Sequence, residues 1–285
     1  MFLPKKIIEE KIISFLKEDA GLGDLTTALL IPPDVIVEAK VVAKESGVIA
    51  GMEETLILLE TLGLEAEAMV SDGEEIRKGK VLLKIRGNAQ TLLTVERTML
   101  NLLSRMSGIA TATKRLVNKL KKAGFGTKVA STRKTAPGLA YFDKKAVKVS
   151  GGDTHRLHLD DMILIKDNHI AITGSISKAV KEARERVSFS KKIEVEVSNV
   201  KEVVEAVKAG ADIILLDNFS PEQVEKAIKV LKKEGLRMKI LIEASGKITE
   251  KNILEYASKG VDIISLGELT HSIKSLDLSL EIERQ

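Results

Sequence analysis

The sequence predicts an α/β protein whose C-terminal part is a barrel of parallel strands, on three observations. After Gly124 six short apolar runs recur: TKVAS, MILIK, KIEVEV, DIILLD, KILIEA and DIISLG. Between most of them lie amphipathic segments, SISKAVKEARERV, NVKEVVEAVKAG, SPEQVEKAIKVLKKEG and TEKNILEYASKG. Near-continuous apolar strands alternating with such helices are buried on both faces, as in a parallel sheet. Each run also finishes in polar or small residues: Ser131-Thr132-Arg133-Lys134, Lys166-Asp167, Glu196, Asp217-Asn218, Glu243-Ala244-Ser245-Gly246 and Gly267-Glu268. In a barrel these ends ring one mouth, where active sites are built. An open doubly wound sheet gathers its chemistry at one switch point instead. Polar ends on all six runs favour the barrel, and six runs fall short of eight regular units.

The elements before the barrel read as mixed helix and strand. KIIEEKIISFLKED has helical spacing, and VIVEAKVVAKESG alternates as a strand does. ETLILLETLG is expected to be helical, and AEAMVSDGEEIRKGKVLLKIRG to form two strands around a turn marked by Asp72-Gly73 and Gly79. A long helical stretch then runs to Gly124, with Leu92, Val95, Met99, Leu102 and Met106 on one stripe.

Composition narrows the function classes. With 285 residues, 44% hydrophobic and 30% charged, the chain has the make-up of a folded globular protein. No apolar run approaches the ~18 residues of a membrane span. The N-terminal segment is amphipathic with acids throughout, unlike a signal peptide, so a cytoplasmic location is expected. The absence of cysteine excludes disulfides, thiolate ligands and cysteine nucleophiles. Positive charge is mixed with glutamate along the helices and aromatics are 3%, so no nucleic-acid partner is expected. The same composition, with scarce glutamine, matches heat-adapted proteins.

The strand ends carry the chemistry. Arg133 and Lys134, His155 and Arg156, and Lys166 converge on one cavity if the barrel is right, and mutually repulsive cations call for a multiply anionic ligand. Each alone reads as a surface charge; repetition across strand ends favours the pocket. Glu196 and Asp217 end consecutive strands and suit ribose hydroxyls or Mg²⁺, a hard cation that prefers oxygen; the alternative is ion pairing with nearby cations. Glu194 shares a strand face with Glu196. Small residues in Ser245-Gly246-Lys247 and Leu266-Gly267-Glu268 let backbone N–H groups approach a phosphate. Three of the four histidines, His155, His158 and His169, lie within SGGDTHRLHLDDMILIKDNH, without the i,i+4 helical spacing of a zinc motif, so an anion pocket is the better reading. No Walker-A pattern or dinucleotide fingerprint is present.

These residues resemble those of the quinolinate phosphoribosyltransferase family: TRKTAPGL at 132–139, GGDTHR at 151–156, LIKDNH at 164–169, IEVEV at 193–197, LLDN at 215–218 and LGELTHS at 266–272. GDLTT at 23–27 and ERTMLNLLSRMSGIAT at 96–111 are similar too, so the likeness spans nearly the whole chain in order. It departs from the common GGGxNHRxGL pattern at Asp153, Thr154 and His158, where glycine, asparagine and glycine are usual.

The resemblance implies an α/β sandwich domain over residues 1–107, an incomplete α/β barrel over 108–271, and a tail, about 272–285, that returns to the first domain. It implies a homodimer, or multiples of it, with Arg97 reaching into the neighbour's site. The implied reaction joins quinolinate to 5-phosphoribosyl 1-pyrophosphate, giving nicotinate mononucleotide, pyrophosphate and CO₂. Catalysis would rest on Lys134, Lys166, Glu196 and Asp217. Substrate contacts would come from these four and from Arg97, Thr132, Arg133, His155, Arg156, Ser245, Gly246, Lys247, Leu266, Gly267, Glu268 and His271. Mg²⁺ would be held by Glu196 and Asp217. The alternatives are a phosphoribosyltransferase for nicotinate or a related aromatic acid, a barrel lyase using Lys166 as a Schiff-base amine, and a non-catalytic anion-binding protein.

Overall fold

The computed structural model describes residues 3–283; the first two residues and the last two of the expected returning tail lie outside them. Its contacts define two compact units. One comprises the chain up to Lys114, residues 145–150 and the chain from Ile273; the other comprises 115–144 and 151–272.

In the first unit, α1 (Lys5–Ala20) buries Ile8 and Ile12, one helical turn apart, and ends at Gly21. A short α2 (Leu25–Leu30) starts at Asp24, whose carboxylate accepts the Thr27 N–H at 3.0 Å and caps the helix. Then follow β1 (Ile36–Ala43), β2 (Gly47–Val48), α3 (Met52–Thr61), β3 (Glu65–Ala68), β4 (Glu75–Ile76) and β5 (Val81–Asn88). The long helix α4 (Ala89–Lys122, its last eight residues in the second unit) begins directly after β5, and the five stripe residues expected from the sequence are all buried.

A buried ion cluster also belongs to this unit. Lys145 Nζ meets Glu54 at 2.7 Å, Asp72 at 3.9 Å and the Glu53 carboxylate, and Glu54 is fully buried. Burial pushes the Glu54 and Asp72 carboxyls up, and the lysine opposes it. Lys145→Ala leaves Glu54 buried without its cation, so we expect a loss of about 3–5 kcal/mol of unfolding free energy by urea titration.

The second unit alternates strands and helices: β6 (Lys128–Ser131), α5 (Ala140–Val149, its last five residues in the first unit), β7 (Ile163–Ile165), α6 (Asp167–Thr173), α7 (Ile176–Arg186) and β8 (Ile193–Val197). It continues with α8 (Val200–Ala209), β9 (Ile213–Asp217), α9 (Pro221–Lys233), β10 (Leu241–Ser245), α10 (Ile253–Ser258), β11 (Ile263–Leu266) and α11 (Glu268–His271). All six predicted apolar runs are strands. Helix starts are fixed locally: Ser175, Asn199 and Ser220 accept N–H groups of the first turns of α7, α8 and α9.

The six strands are parallel and ordered β6-β11-β10-β9-β8-β7. The first strand of the run pairs with the last, which closes the sheet into a barrel everywhere except between β6 and β7. That seam is partly filled by Asp153, whose N–H donates to Val129 O at 2.7 Å and whose carbonyl accepts the Ser131 N–H at 3.0 Å. Asp153, one of the departures from the family pattern, thus extends the barrel edge. At the opposite end, a repeated device locks strand starts. Asp212 binds Arg184 at 2.6 Å and accepts the Ile193 N–H, and Asp262 binds Arg237 at 2.9 Å and accepts the Ile242 N–H. Carboxylates at this end are engaged in stability, as barrel bottoms are.

The last strand, β12 (Leu278–Ile282), pairs antiparallel with β1 and completes the sheet β12-β1-β5-β3 of the first unit.

Candidate active site

A cavity of ≈ 480 Å³ opens at the C-terminal strand ends of the barrel. Nine of the predicted residues line it: Thr132, Arg133, Lys134, His155, Arg156, Lys166, Glu196, Asp217 and Ser245. Strand register explains the convergence. Glu196 lies opposite Leu215 and Leu215 opposite Glu243, so one level of the barrel presents all three to the same space.

Three cations of this cavity have no carboxylate within ion-pair distance among the described residues: Arg133, Lys134 and Arg156. Arg156 is only 7% exposed, and its Nε is buried with no hydrogen-bond partner. Burial, then the Arg133 charge, lowers its pKa. Lys144, 1% exposed, donates to the Thr154 carbonyl close to these cations. Its pKa is lowered to about 8, first by burial and further by Arg133 and Arg156, with Asp153 opposing. The protein therefore carries local positive charge that its own acids do not neutralise, and an anion in the cavity relieves it.

Lys166, by contrast, pairs with Glu196 at 3.2 Å. It stands at the start of α6, where its backbone N–H donates to His169 Nδ1 at 3.0 Å. His169 is thus a helix-start residue. His158 is exposed, and the loop around it is held by Asp161, which accepts the Leu157 and His158 N–H groups.

His155 sits in the left-handed region at φ 50°. Its Nε2 lies 3.1 Å from Glu243 and 3.4 Å from Glu194, on β10 and β8. Its Nδ1 accepts the Arg156 N–H at 2.8 Å. Burial by itself lowers the imidazole pKa, but the hydrogen bonds and charges of the two glutamates outweigh it and push it up to about 10. Burial also pushes the Glu194 carboxyl up. His155 and Glu194 therefore hold a proton more tightly together than either would apart in water.

Asp217 Oδ2 accepts a hydrogen bond from Asn218 Nδ2 at 2.8 Å. Asn218 holds φ 55° and donates its N–H to Ser245 O at 2.8 Å. Gly246, at φ +91°, is required here, since a Cβ would come within 2.7 Å of Asn218 Cγ. The remaining barrel residues named from sequence do not line the cavity. Lys247 is exposed at φ 56°, Leu266 is buried, Gly246 and Gly267 directly follow β10 and β11, and Glu268 and His271 are the first and last residues of α11. The His271 ring lies against Gly267, and Thr270 donates to Lys134 O at 2.8 Å. Arg97 is exposed on α4, in the first unit.

Sequence reasoning gave no role to Glu243, Lys144, Ser131, Asn218 or Ser265, and passed over Glu194 for Glu196. Glu196 does line the cavity, while Glu194 is fully buried and meets His155. A signal existed. An acid inside an apolar strand, as in KIEVEV or KILIEA, is buried and needs a partner.

Profiles of known families match along the chain: the N-terminal domain of quinolinate phosphoribosyl transferase over residues 24–107 and its C-terminal domain over 109–281. The sequence is 49% identical over 271 residues to a probable nicotinate-nucleotide pyrophosphorylase (carboxylating) of Methanocaldococcus jannaschii, covering 94% of this chain and 95% of that one. It is 36% identical over 282 residues to the nicotinate-nucleotide pyrophosphorylase (carboxylating) of Homo sapiens, covering 99% and 94%. The solved nicotinate-nucleotide pyrophosphorylase of Francisella tularensis superimposes with a TM-score of 0.90 at 36% identity, covering 99% of this chain and 98% of that one.

Proposed function

The chain belongs to the quinolinate phosphoribosyltransferase family and is a phosphoribosyltransferase of NAD biosynthesis, and from that premise we propose how its residues do the work. The barrel mouth takes quinolinate and 5-phosphoribosyl 1-pyrophosphate together. Arg133, Lys134 and Arg156, with Lys166 at the rim, meet the two carboxylates and the pyrophosphate. The observation that carries this assignment is the set of three cations left without carboxylate partners around one cavity.

Glu196 and Asp217 face the ribose, where their charge stabilises positive charge developing at the anomeric carbon. Their oxygens are the donor set that suits Mg²⁺, which when bound supplies charge to the pyrophosphate leaving group. The turns holding Gly246, Lys247, Leu266, Gly267, Glu268 and His271 seat the 5′-phosphate, a role favoured by glycines that keep Cβ atoms out of the approach. The pyridine nitrogen is the nucleophile, so the protein contributes position and field instead of an activated side chain. When the adjacent carboxylate leaves as CO₂, its electron pair remains on the ring carbon beside the cationic nitrogen, and the surrounding cations hold that charge until the carbon is protonated.

The working assembly is a homodimer or a multiple of it, with Arg97 of one copy completing the site of the next; Arg97 and Asn101 are exposed on α4. No helix among the described residues is long and apolar enough to cross a membrane, in keeping with a cytoplasmic site of action.

Product analysis tests the reading. Incubation with quinolinate, 5-phosphoribosyl 1-pyrophosphate and Mg²⁺ is expected to give nicotinate mononucleotide and CO₂ in equal amounts, with none after chelation by EDTA. Nicotinate offered in parallel is expected to give none. Turnover of nicotinate alone would move the acceptor assignment to the mono-acid.

A further inference from the structure

The two acids at the rim of the mouth are held in different ways. Glu196 is paired with Lys166 at 3.2 Å. Asp217 meets no cation within ion-pair distance among the described residues; its partner is the neutral side-chain amide of Asn218, whose Nδ2 donates to Oδ2 at 2.8 Å. An ionised carboxylate only accepts, so the amide nitrogen and not its oxygen must face it. Such a bond orients a carboxylate without cancelling its charge, which a lysine or arginine in the same place would do.

The backbone around Asn218 is arranged to make this contact. Asn218 takes φ 55°, in the left-handed region, where asparagine is tolerated better than most side chains. Its N–H donates to Ser245 O at 2.8 Å, and Ser245 stands opposite Asp217 in the register of β9 and β10. The turn is thereby tied to the neighbouring strand. Space for the amide comes from Gly246, where a Cβ would stand 2.4 Å from Asn218 Oδ1. Asp217 and Asn218 both line the cavity.

We propose that Asn218 is a positioning residue for Asp217: its amide occupies Oδ2 and fixes the carboxylate, so that Oδ1 is left for the ribose of the phosphoribosyl donor with the full negative charge retained. The inference rests on the barrel mouth being the phosphoribosyl-transfer site. Asp217 then faces the developing positive charge at the anomeric carbon already oriented, and needs no rearrangement during the reaction.

Asn218→Gly is the test. Glycine adopts the left-handed conformation freely, so the turn is kept and only the amide is lost. For the donor, kcat and kcat/KM are expected to fall together, on the order of thirtyfold, with KM near wild type. The urea unfolding midpoint is expected to stay close to that of the wild type. Asn218→Asp also tolerates the left-handed region; it sets a second carboxylate against Asp217 and is expected to lose more activity than Asn218→Gly. Wild-type kinetics in folded Asn218→Gly overturn the proposal, because the residue then serves the turn alone. A raised KM with unchanged kcat overturns it too, since Asn218 would then be holding the donor in its ground state.

A double substitution separates action through Asp217 from direct action. In an Asp217→Ala background, Asn218→Gly is expected to lower the residual kcat by less than about threefold further. The same full loss in both backgrounds means that Asn218 works on the substrate itself, and overturns the positioning role while leaving the site standing. Absence of product from the wild type with quinolinate, donor and Mg²⁺ overturns both.

Discussion

Arg133→Ala is expected to lower kcat/KM for quinolinate about a thousandfold, equivalent to ~4 kcal/mol of transition-state stabilisation. The argument starts from charge. Arg133 is exposed at the end of β6, lines the cavity, and has no carboxylate of its own within ion-pair distance among the described residues. Burial is the main cause of the lowered pKa values of Arg156 and Lys144, and the Arg133 charge adds to it in both. A dianionic acid is the partner that turns this repulsion into binding. Because Arg133 is exposed and supports no packing, its loss should change unfolding free energy by no more than about 0.5 kcal/mol. Arg133→Lys should recover only part of the activity, since a point charge does not replace a planar fork facing a carboxylate. Steady-state kinetics with denaturation as the folding control decide the matter. Near-normal kinetics in Arg133→Ala would remove this residue from the site.

Mixing two inactive variants is expected to restore activity. In the proposed assembly Arg97→Ala removes the group offered to a neighbouring copy, and Arg133→Ala removes a group from the barrel of its own. In a dimer with shared sites, each mixed pair has one intact site, made from the barrel of the Arg97→Ala chain and the Arg97 of the other. Random reassociation of equal amounts should therefore make about one quarter of all sites active. The measurement is activity after unfolding and refolding the variants together, with mass spectrometry confirming that mixed dimers form. Mixed dimers without recovered turnover would place Arg97 outside the site or within its own chain's site.

Much of the barrel was legible because its signal is periodic and local. DIILLD is apolar on both sides of the strand and KIEVEV on one, with Glu194 and Glu196 on the other, and the burial of both runs is nearly complete. Helix starts were legible for the same reason: Asn199 and Ser220 bond to N–H groups only two or three residues away. The closing of the sheet was less so. Polar strand ends pointed to a barrel, but the pairing of β6 with β11, and the seam that Asp153 partly fills, depend on residues far apart in sequence.

The site divides along the same line. The residue types that mark it, Arg133, Lys134, Arg156, Lys166, Glu196 and Asp217, stand at strand ends or in a loop, and their positions follow from the alternation of strand and helix. Which of them neutralise each other does not. Lys166 takes Glu196, whereas Arg133 and Arg156 are left facing the cavity; that outcome depends on distances of a few ångströms.

By itself the sequence determined the α/β class, the six strands, the ring of polar strand ends, and the family through motifs spread along the whole chain. These are encoded in hydrophobic period and residue type, which act over a few neighbours. Only the tertiary structure decided that Glu194 and Glu243 close on His155, that both nitrogens of this ring are engaged, and that Arg156 keeps a free Nε in the dark of the cavity. The physical reason is that burial and charge pairing are properties of strands brought together across the sheet, and no spacing along the chain records which acid ends beside which base.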